Sequence, residues 1–298
     1  MTADAALGRA EPGALRRLAD VVALTKPRLN ALTIFAVGAG WFAAVGRNGD
    51  LRVLAATLLG SALVAGGASA LNQYAERSRD ALMARTADRP LPSGRMTPAS
   101  GLAAGLAMSA AGLAALALAT NALTVALGAL CLVWYVAVYT PLKTRTSLNT
   151  LAGTLSGALP PVMGVAAATN GLGVEAVFLF SLLVAWQIPH FLSIAWLYRD
   201  QYERGGYVML PSVEGGEAQT ARQVVVQSLL TLAVSLGAVP FGIAGRTYLL
   251  VALGAGIVLL GAAVAFALAR TDASARRLLR VSLIHLPVVL TAFALDRV

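Results

Sequence analysis

The chain has 298 residues, of which 58% are hydrophobic and only 12% charged, with 23 Lys and Arg against 14 Asp and Glu and a formal net charge of +9. A soluble domain carries about 25% charged residues, so there is too little polar surface here to cover a globule in water. A water-soluble enzyme is excluded, and the positive charge reads as membrane topology rather than as a nucleic-acid surface.

Abundant Gly, Ala and Leu with few aromatics predict a packed helical bundle, because small residues let helix backbones approach where no hydrophobic force drives them together. Long, unalternating apolar runs exclude a β-barrel. The expected fold class is all-α, a polytopic transmembrane bundle of about nine helices. Residues 1–28 are polar and interrupted by proline, with a disordered-looking first dozen. They lack a short apolar core followed by a small-residue cleavage site, and are expected to form a cytoplasmic N-terminal segment rather than a cleaved leader. Residues 29–298 then form the transmembrane domain.

Nine apolar windows follow, at about 29–46, 53–73, 99–119, 121–140, 149–169, 174–197, 221–244, 247–269 and 279–296. The third and fourth meet at Thr120–Asn121, which demands a tight turn. Cys131, the single cysteine, lies inside the fourth and reads as a small buried side chain. Gly153, Gly157 and Gly164 in the fifth are spaced for close helix packing. Trp186 and Tyr198 read as interface anchors, and His285, beside Pro287 in the ninth, as a partner in an interhelical hydrogen bond. With the N-terminus inside, only Arg47, Arg52, Arg246 and Arg297 of the 23 basic residues fall on the outer side. That asymmetry supports both the span count and the orientation.

Two inner segments, 74–98 and 198–220, are longer than a compact bundle needs and hold most of the acids. In the first, Asn72, Glu76 and Asp80 stand four apart, on one face of a helix. Two carboxylates and an amide suit a hard cation such as Mg²⁺ that shares oxygen ligands with a substrate phosphate. The alternative is a solvated helix end with local ion pairs to Arg77 and Arg79. Arg85 and Arg89, also four apart, carry guanidinium forks that match phosphate oxygens. In the second segment, Asp200 and Glu203 stand three apart and are expected to form an acidic stripe facing the first, so that the two bracket a diphosphate through metal ions. Lys143 and Arg145 lie on the same side of the membrane and assist or mark topology. Asn149, just beyond them, is expected to face the diphosphate.

Six stretches, in order, carry a resemblance: Leu24 to Arg28, Asn72 to Pro92, Tyr139 to Thr146, Pro160 to Gly164, Trp186 to Phe191 and Met209 to Pro211. The chain resembles the UbiA-type prenyltransferases, and within them the branch that farnesylates haem, to which the run from Arg85 to Leu91 together with Pro189-His190-Phe191 points. The resemblance implies a nine-helix bundle around a lipid-accessible cavity. It implies a diphosphate of farnesyl diphosphate held through Mg²⁺ by Asn72, Glu76, Asp80 and Asp200, with Arg85, Arg89, Lys143, Arg145, Asn149 and Glu203 binding substrate. Ionisation would give a farnesyl cation, captured by a vinyl group of haem B, and water would complete the addition to give haem O. Haem B is thus a substrate rather than a cofactor, and His190 is expected to position or ligate it, or else to cap a helix. The resemblance further implies a bacterial inner membrane, catalytic loops on the cytoplasmic side, and a haem A synthase as the partner that uses the product. The chain departs from the family at Glu76, where Asp is usual, and at Gln201, where an acid is common. Two other readings stand beside this one: a prenyltransferase with an aromatic, quinone-precursor acceptor, and a transporter or haem-handling membrane protein without catalysis.

Overall fold

A computed structural model describes residues 13–298. The described residues form helices and turns without a strand. The expected disordered stretch at the extreme N-terminus lies outside them. The N-terminal segment nonetheless contains a helix that its polarity concealed, α1 (Ala14–Leu24). It is amphipathic: Leu15, Leu18 and Val22 are exposed on one side, while Asp20 on the other accepts from Arg95 Nε at 3.0 Å.

The long helices are α2 (Pro27–Val45), α3 (Leu51–Asp80), α4 (Pro98–Ala119), α5 (Ala122–Leu142), α6 (Asn149–Thr169), α7 (Val174–Leu197), α9 (Gly216–Gly237), α10 (Arg246–Ala269) and α11 (Asp272–Leu295), with a six-residue helix α8 (Arg199–Arg204) between α7 and α9. Eight of the nine are long and apolar enough to cross a membrane. The other, α9, is equally long but carries a stripe of hydroxyl residues, Thr220, Ser228, Thr231 and Ser235, all buried within the bundle. It begins five residues earlier than its apolar window and ends seven earlier, where Pro240 and Gly242 turn the chain. α3 is longer than its window: the polar residues after Asn72 continue the same helix to Asp80 instead of starting a loop.

The turn between α4 and α5 is as tight as their adjacency requires. Asn121 Oδ1 accepts from Thr124 N at 2.9 Å, capping α5, and its Nδ2 donates to Ala166 O on α6. Small residues set the closest packing. A side chain at Gly164 would strike the Val37 carbonyl of α2, and one at Gly40 the Pro161 carbonyl of α6, so these two helices touch backbone to backbone. Consecutive helices pack on one another, and α11 returns to α2. Phe178, Tyr248 and Phe293 cluster where α7, α10 and α11 meet, with ring centroids 4.7–6.3 Å apart. At one end of the bundle Asp296 ties the C-terminus to the start of α10, accepting from Gly245 N and Tyr248 N. The two polar inner segments lie together at the other end.

Candidate active site

The C-terminal turns of α3 carry Asn72, Glu76 and Asp80 on one face, and all three are buried. A cation from a different part of the chain meets each. Lys26 Nζ donates to Asn72 Oδ1 at 2.9 Å, Lys143 Nζ to Glu76 Oε1 at 2.8 Å, and Arg89 Nη1 to Asp80 Oδ2 at 2.7 Å. Asn72 Nδ2 also donates to Thr140 Oγ1 at 3.1 Å. The stripe is therefore not a solvated helix end: Arg77 turns back to the Tyr74 carbonyl, and Arg79 reaches the carbonyls of Gly205 and Gly206.

Local structure delivers each cation. Lys26 occupies the break between α1 and α2 in the left-handed region (φ 48°), with Pro27 opening the next helix. Lys143 follows α5, whose residues Trp134–Tyr139 adopt π-helical geometry; such bulges concentrate at functional sites. Arg89 sits in the turns after α3, which Thr86 Oγ1 braces by donating to Asp80 O at 2.8 Å.

Three cations face two carboxylates, so the site holds an excess of positive charge. Burial pushes the Lys26 pKa down to about 7, and repulsion from Arg89 and Lys143 adds to this against the pull of Glu76 and Asp80. Burial works against the Lys143 charge too, but Tyr139 and Glu76 outweigh it and hold that ammonium well above its usual range. Lys143 Nζ lies 5.9 Å from the centre of the Tyr207 ring, whose hydroxyl is buried without a hydrogen-bond partner, and burial raises its pKa. An excess of buried positive charge beside an orphaned hydroxyl is a site built for an anion.

The second acidic stripe does not form. The Asp200 side chain is 77% exposed and 3.9 Å from Arg199 Nε, whereas that of Asp80 is 2% exposed. Glu203 is exposed as well. The physical reason is the way α8 packs: Tyr202, Tyr207 and Met209 join Met83 and Ala195 in a small apolar cluster, which turns the acids outward. The two inner segments do face each other, but through aromatic rings and carbonyls. Arg85 spans them, with its guanidinium 4.8 Å above the Tyr198 ring, Nη2 donating to Tyr202 Oη at 3.2 Å, and its backbone N donating to Gln201 Oε1. It is a clasp between loops. Arg145 is exposed. Asn149 Nδ2 donates to the carbonyls of Thr146 and Val208, so its amide hydrogens strap the α5–α6 turn to the second segment and do not face an anion.

A cavity of about 330 Å³ runs from Lys26 into the bundle between α2, α3, α5, α6, α7 and α11. Its mouth is polar, with Lys26, Arg28 and Asn30; Tyr135 and Tyr139 line its wall with ring centroids 5.4 Å apart, and Trp186, Gln187 and His190 line its inner part. Trp186 is buried rather than interfacial. It stacks on His190 at 4.9 Å and donates from Nε1 to the Ser282 carbonyl. Cys131 also lines the cavity, and its thiol contacts the Ser156 carbonyl at 3.2 Å. His285 makes no interhelical bond: both ring nitrogens are buried without a partner. Sequence reasoning assigned no role to Lys26, Tyr135, Tyr139, Gln187, Tyr207 or Ser282. Tyr135 and Tyr139 had a readable signal, two aromatics four apart in an otherwise aliphatic span.

The donor set on α3 fits one hard divalent cation. Glu76, Asp80 and the Asn72 amide offer oxygens on one face, with the unpartnered Tyr207 hydroxyl and three basic side chains nearby for an anion that such a metal would share. Asp200 and Glu203 are turned away from it.

Known proteins resemble this chain in sequence and in fold. The profile of the UbiA prenyltransferase family matches residues 32–285. A protein named protoheme IX farnesyltransferase from Solibacter usitatus is 43% identical over 287 residues, covering 93% of this chain and 98% of that one. Its namesake from Anaeromyxobacter dehalogenans is 40% identical over the whole of both chains. Among solved structures, a digeranylgeranylglyceryl phosphate synthase superposes with a TM-score of 0.79 at 15% identity, covering 94% of this chain and 98% of that one. A UbiA homologue from Archaeoglobus fulgidus, bound to DMAPP and Mg²⁺, superposes at 0.66 and 15% identity, covering 92% and 99%.

Proposed function

The chain belongs to the UbiA prenyltransferase family, and on that premise we infer that it transfers the farnesyl group of farnesyl diphosphate to a vinyl group of haem B, with addition of water, to give haem O. The observation that carries this reading is a cavity that joins a cationic mouth to an apolar interior containing a stacked Trp186–His190 pair. Its relatives over nearly the full length are named for the same reaction.

The residues divide the work. Lys26, Arg89 and Lys143 receive the diphosphate, exchanging their bonds to Asn72, Asp80 and Glu76 for bonds to phosphate oxygens. The oxygens of Asn72, Glu76 and Asp80 would hold Mg²⁺, which would supply charge neutralisation for the departing diphosphate. Tyr207 adds a hydroxyl donor at the same end. The ring faces of Tyr135 and Tyr139 stabilise the allylic cation as the C–O bond breaks, and the helices around them keep water from it. Trp186 offers a flat apolar surface for the acceptor, and the groups around His190 contact it.

The protein sits in the bacterial inner membrane with the α3–α8 end on the cytoplasmic side, the side on which nearly all Lys and Arg lie. A haem A synthase consumes the product. The test is chromatography of haems from membranes that express the chain, with wild type beside Asp80→Ala. A more apolar, farnesylated haem is expected in the wild type and not in the variant. Unchanged haem B, with folded protein and supplied farnesyl diphosphate, overturns the haem acceptor and points to an aromatic one.

A further inference from the structure

The reaction ends with a water molecule, and the hydrogen-bond pattern around His190 has the form needed to place it. Ser282 Oγ donates to the Leu279 carbonyl at 2.8 Å, so its only hydrogen is spent. His190 Nδ1 lies 2.9 Å from the same oxygen, and with the Ser282 hydrogen directed to Leu279 the bond between them has Nδ1 as the donor. In that arrangement the neutral ring carries its proton on Nδ1 and its lone pair on Nε2. The ring is clamped in place by Trp186, stacked at 4.9 Å and 18° and itself tied to Ser282 O. Gln187, three residues earlier and on the same face of α7, uses Nε2 to donate to the carbonyls of Thr154 and Leu183. With both amide hydrogens spent, what it has left is Oε1, an acceptor. Both side chains line the cavity. Two acceptors hold a water by its hydrogens, and leave an oxygen lone pair free to attack a cation.

We propose that His190 Nε2 is the general base for the hydration step, with Gln187 Oε1 helping to orient the water and Ser282 fixing the tautomer. This inference rests on the haem farnesylation proposed above. The C–O bond of farnesyl diphosphate breaks with its electron pair on the diphosphate. The vinyl π pair forms the new C–C bond to farnesyl C1, leaving a cation on the vinyl carbon next to the pyrrole. The water oxygen bonds to that carbon while one of its protons passes to Nε2, which later releases it to solvent. The balance is farnesyl diphosphate, haem B and water giving haem O, diphosphate and one proton. Without a placed water, the same cation loses a proton from carbon instead and yields an alkene lighter than haem O by one water.

The experiment is mass spectrometry of the haems made by wild type, His190→Phe and Ser282→Ala in membranes supplied with haem B, farnesyl diphosphate and Mg²⁺. His190→Phe keeps the ring stack but removes the base. Farnesyl transfer is expected to persist, with the ratio of hydrated product to alkene falling by about 100-fold; Ser282→Ala shifts it in the same direction by a smaller factor. A wild-type ratio in both variants overturns the proposal. So does hydrated product alone at a reduced rate with a displaced Soret band, which makes His190 an iron contact. Loss of both products in a folded His190→Phe protein also overturns it, because the base acts after the C–C bond. If His190→Phe does not fold, the ratio in Ser282→Ala decides. Failure of the underlying reading looks different: the wild type then makes no farnesylated haem at all.

Discussion

The two inner segments carry acids at similar helical spacing, and the structure treats them in opposite ways. Glu76 and Asp80 are buried, each against a specific cation, Lys143 from a distant part of the chain and Arg89 from the turns that follow α3. Asp200 and Glu203 face solvent, and what their segment contributes is tyrosines, a glutamine and backbone carbonyls. A carboxylate that is buried and paired has its desolvation offset only by a specific partner. A carboxylate in water interacts weakly with anything. Spacing does not separate the two cases, because it reports which residues share a face and not what that face meets.

Mutations at the two stripes should therefore differ by orders of magnitude. The largest effect is expected for Asp80→Ala, which removes a carboxylate proposed to hold Mg²⁺ and leaves Arg89 partly buried without its partner: haem O formation, followed by chromatography, falls by at least about 100-fold, and the folded protein loses about 3 kcal/mol. Glu76→Gln, which leaves Lys143 facing an amide, should reduce turnover by about 10- to 100-fold at saturating haem. Glu76→Asp, the residue usual in the family, should stay within about tenfold of wild type, since the charge is kept one methylene further from Lys143. Arg85→Ala opens the clasp over Tyr198 and Tyr202 and should lower stability in thermal denaturation by about 1 kcal/mol, with the apparent affinity for farnesyl diphosphate changing less than in Asp80→Ala or Glu76→Gln. Asp200→Asn and Glu203→Gln should leave rate and stability within about twofold, as surface substitutions do. A large loss at Asp200 would erase the contrast and restore a second metal stripe.

The fold was readable because its signals are long and redundant. Eight apolar runs of about 20 residues, the Thr120–Asn121 junction and the one-sided basic residues each constrain the same bundle. α9 was placed too far along because its polar residues turn inward, and a window that sums hydropathy cannot tell an inward hydroxyl from an outward one. The α3 stripe was legible too, since its logic is local to one helix. Two of its three partners were not. Lys26 lies 46 residues from Asn72 and Lys143 lies 67 from Glu76, so only the folded bundle brings them together. Asn149 was misread for the same reason: the Val208 carbonyl that occupies its amide is 59 residues away. His190 could be singled out as a motif residue, but its tautomer depends on where the Ser282 hydroxyl hydrogen points, which no residue pattern encodes.

The π-helical stretch from Trp134 to Tyr139 has a consequence for how this enzyme can change its length. A π turn behaves as one residue inserted into an α-helix, and one residue corresponds to about 100° of rotation. Everything after it, including Thr140 and Lys143, is rotated by that amount relative to the membrane-facing half of α5. The contacts of Thr140 with Asn72 and of Lys143 with Glu76 depend on that rotation. A chain with one residue deleted between Trp134 and Tyr139 would still span the bilayer and still read as the same helix. Its lysine, however, would point away from the carboxylate.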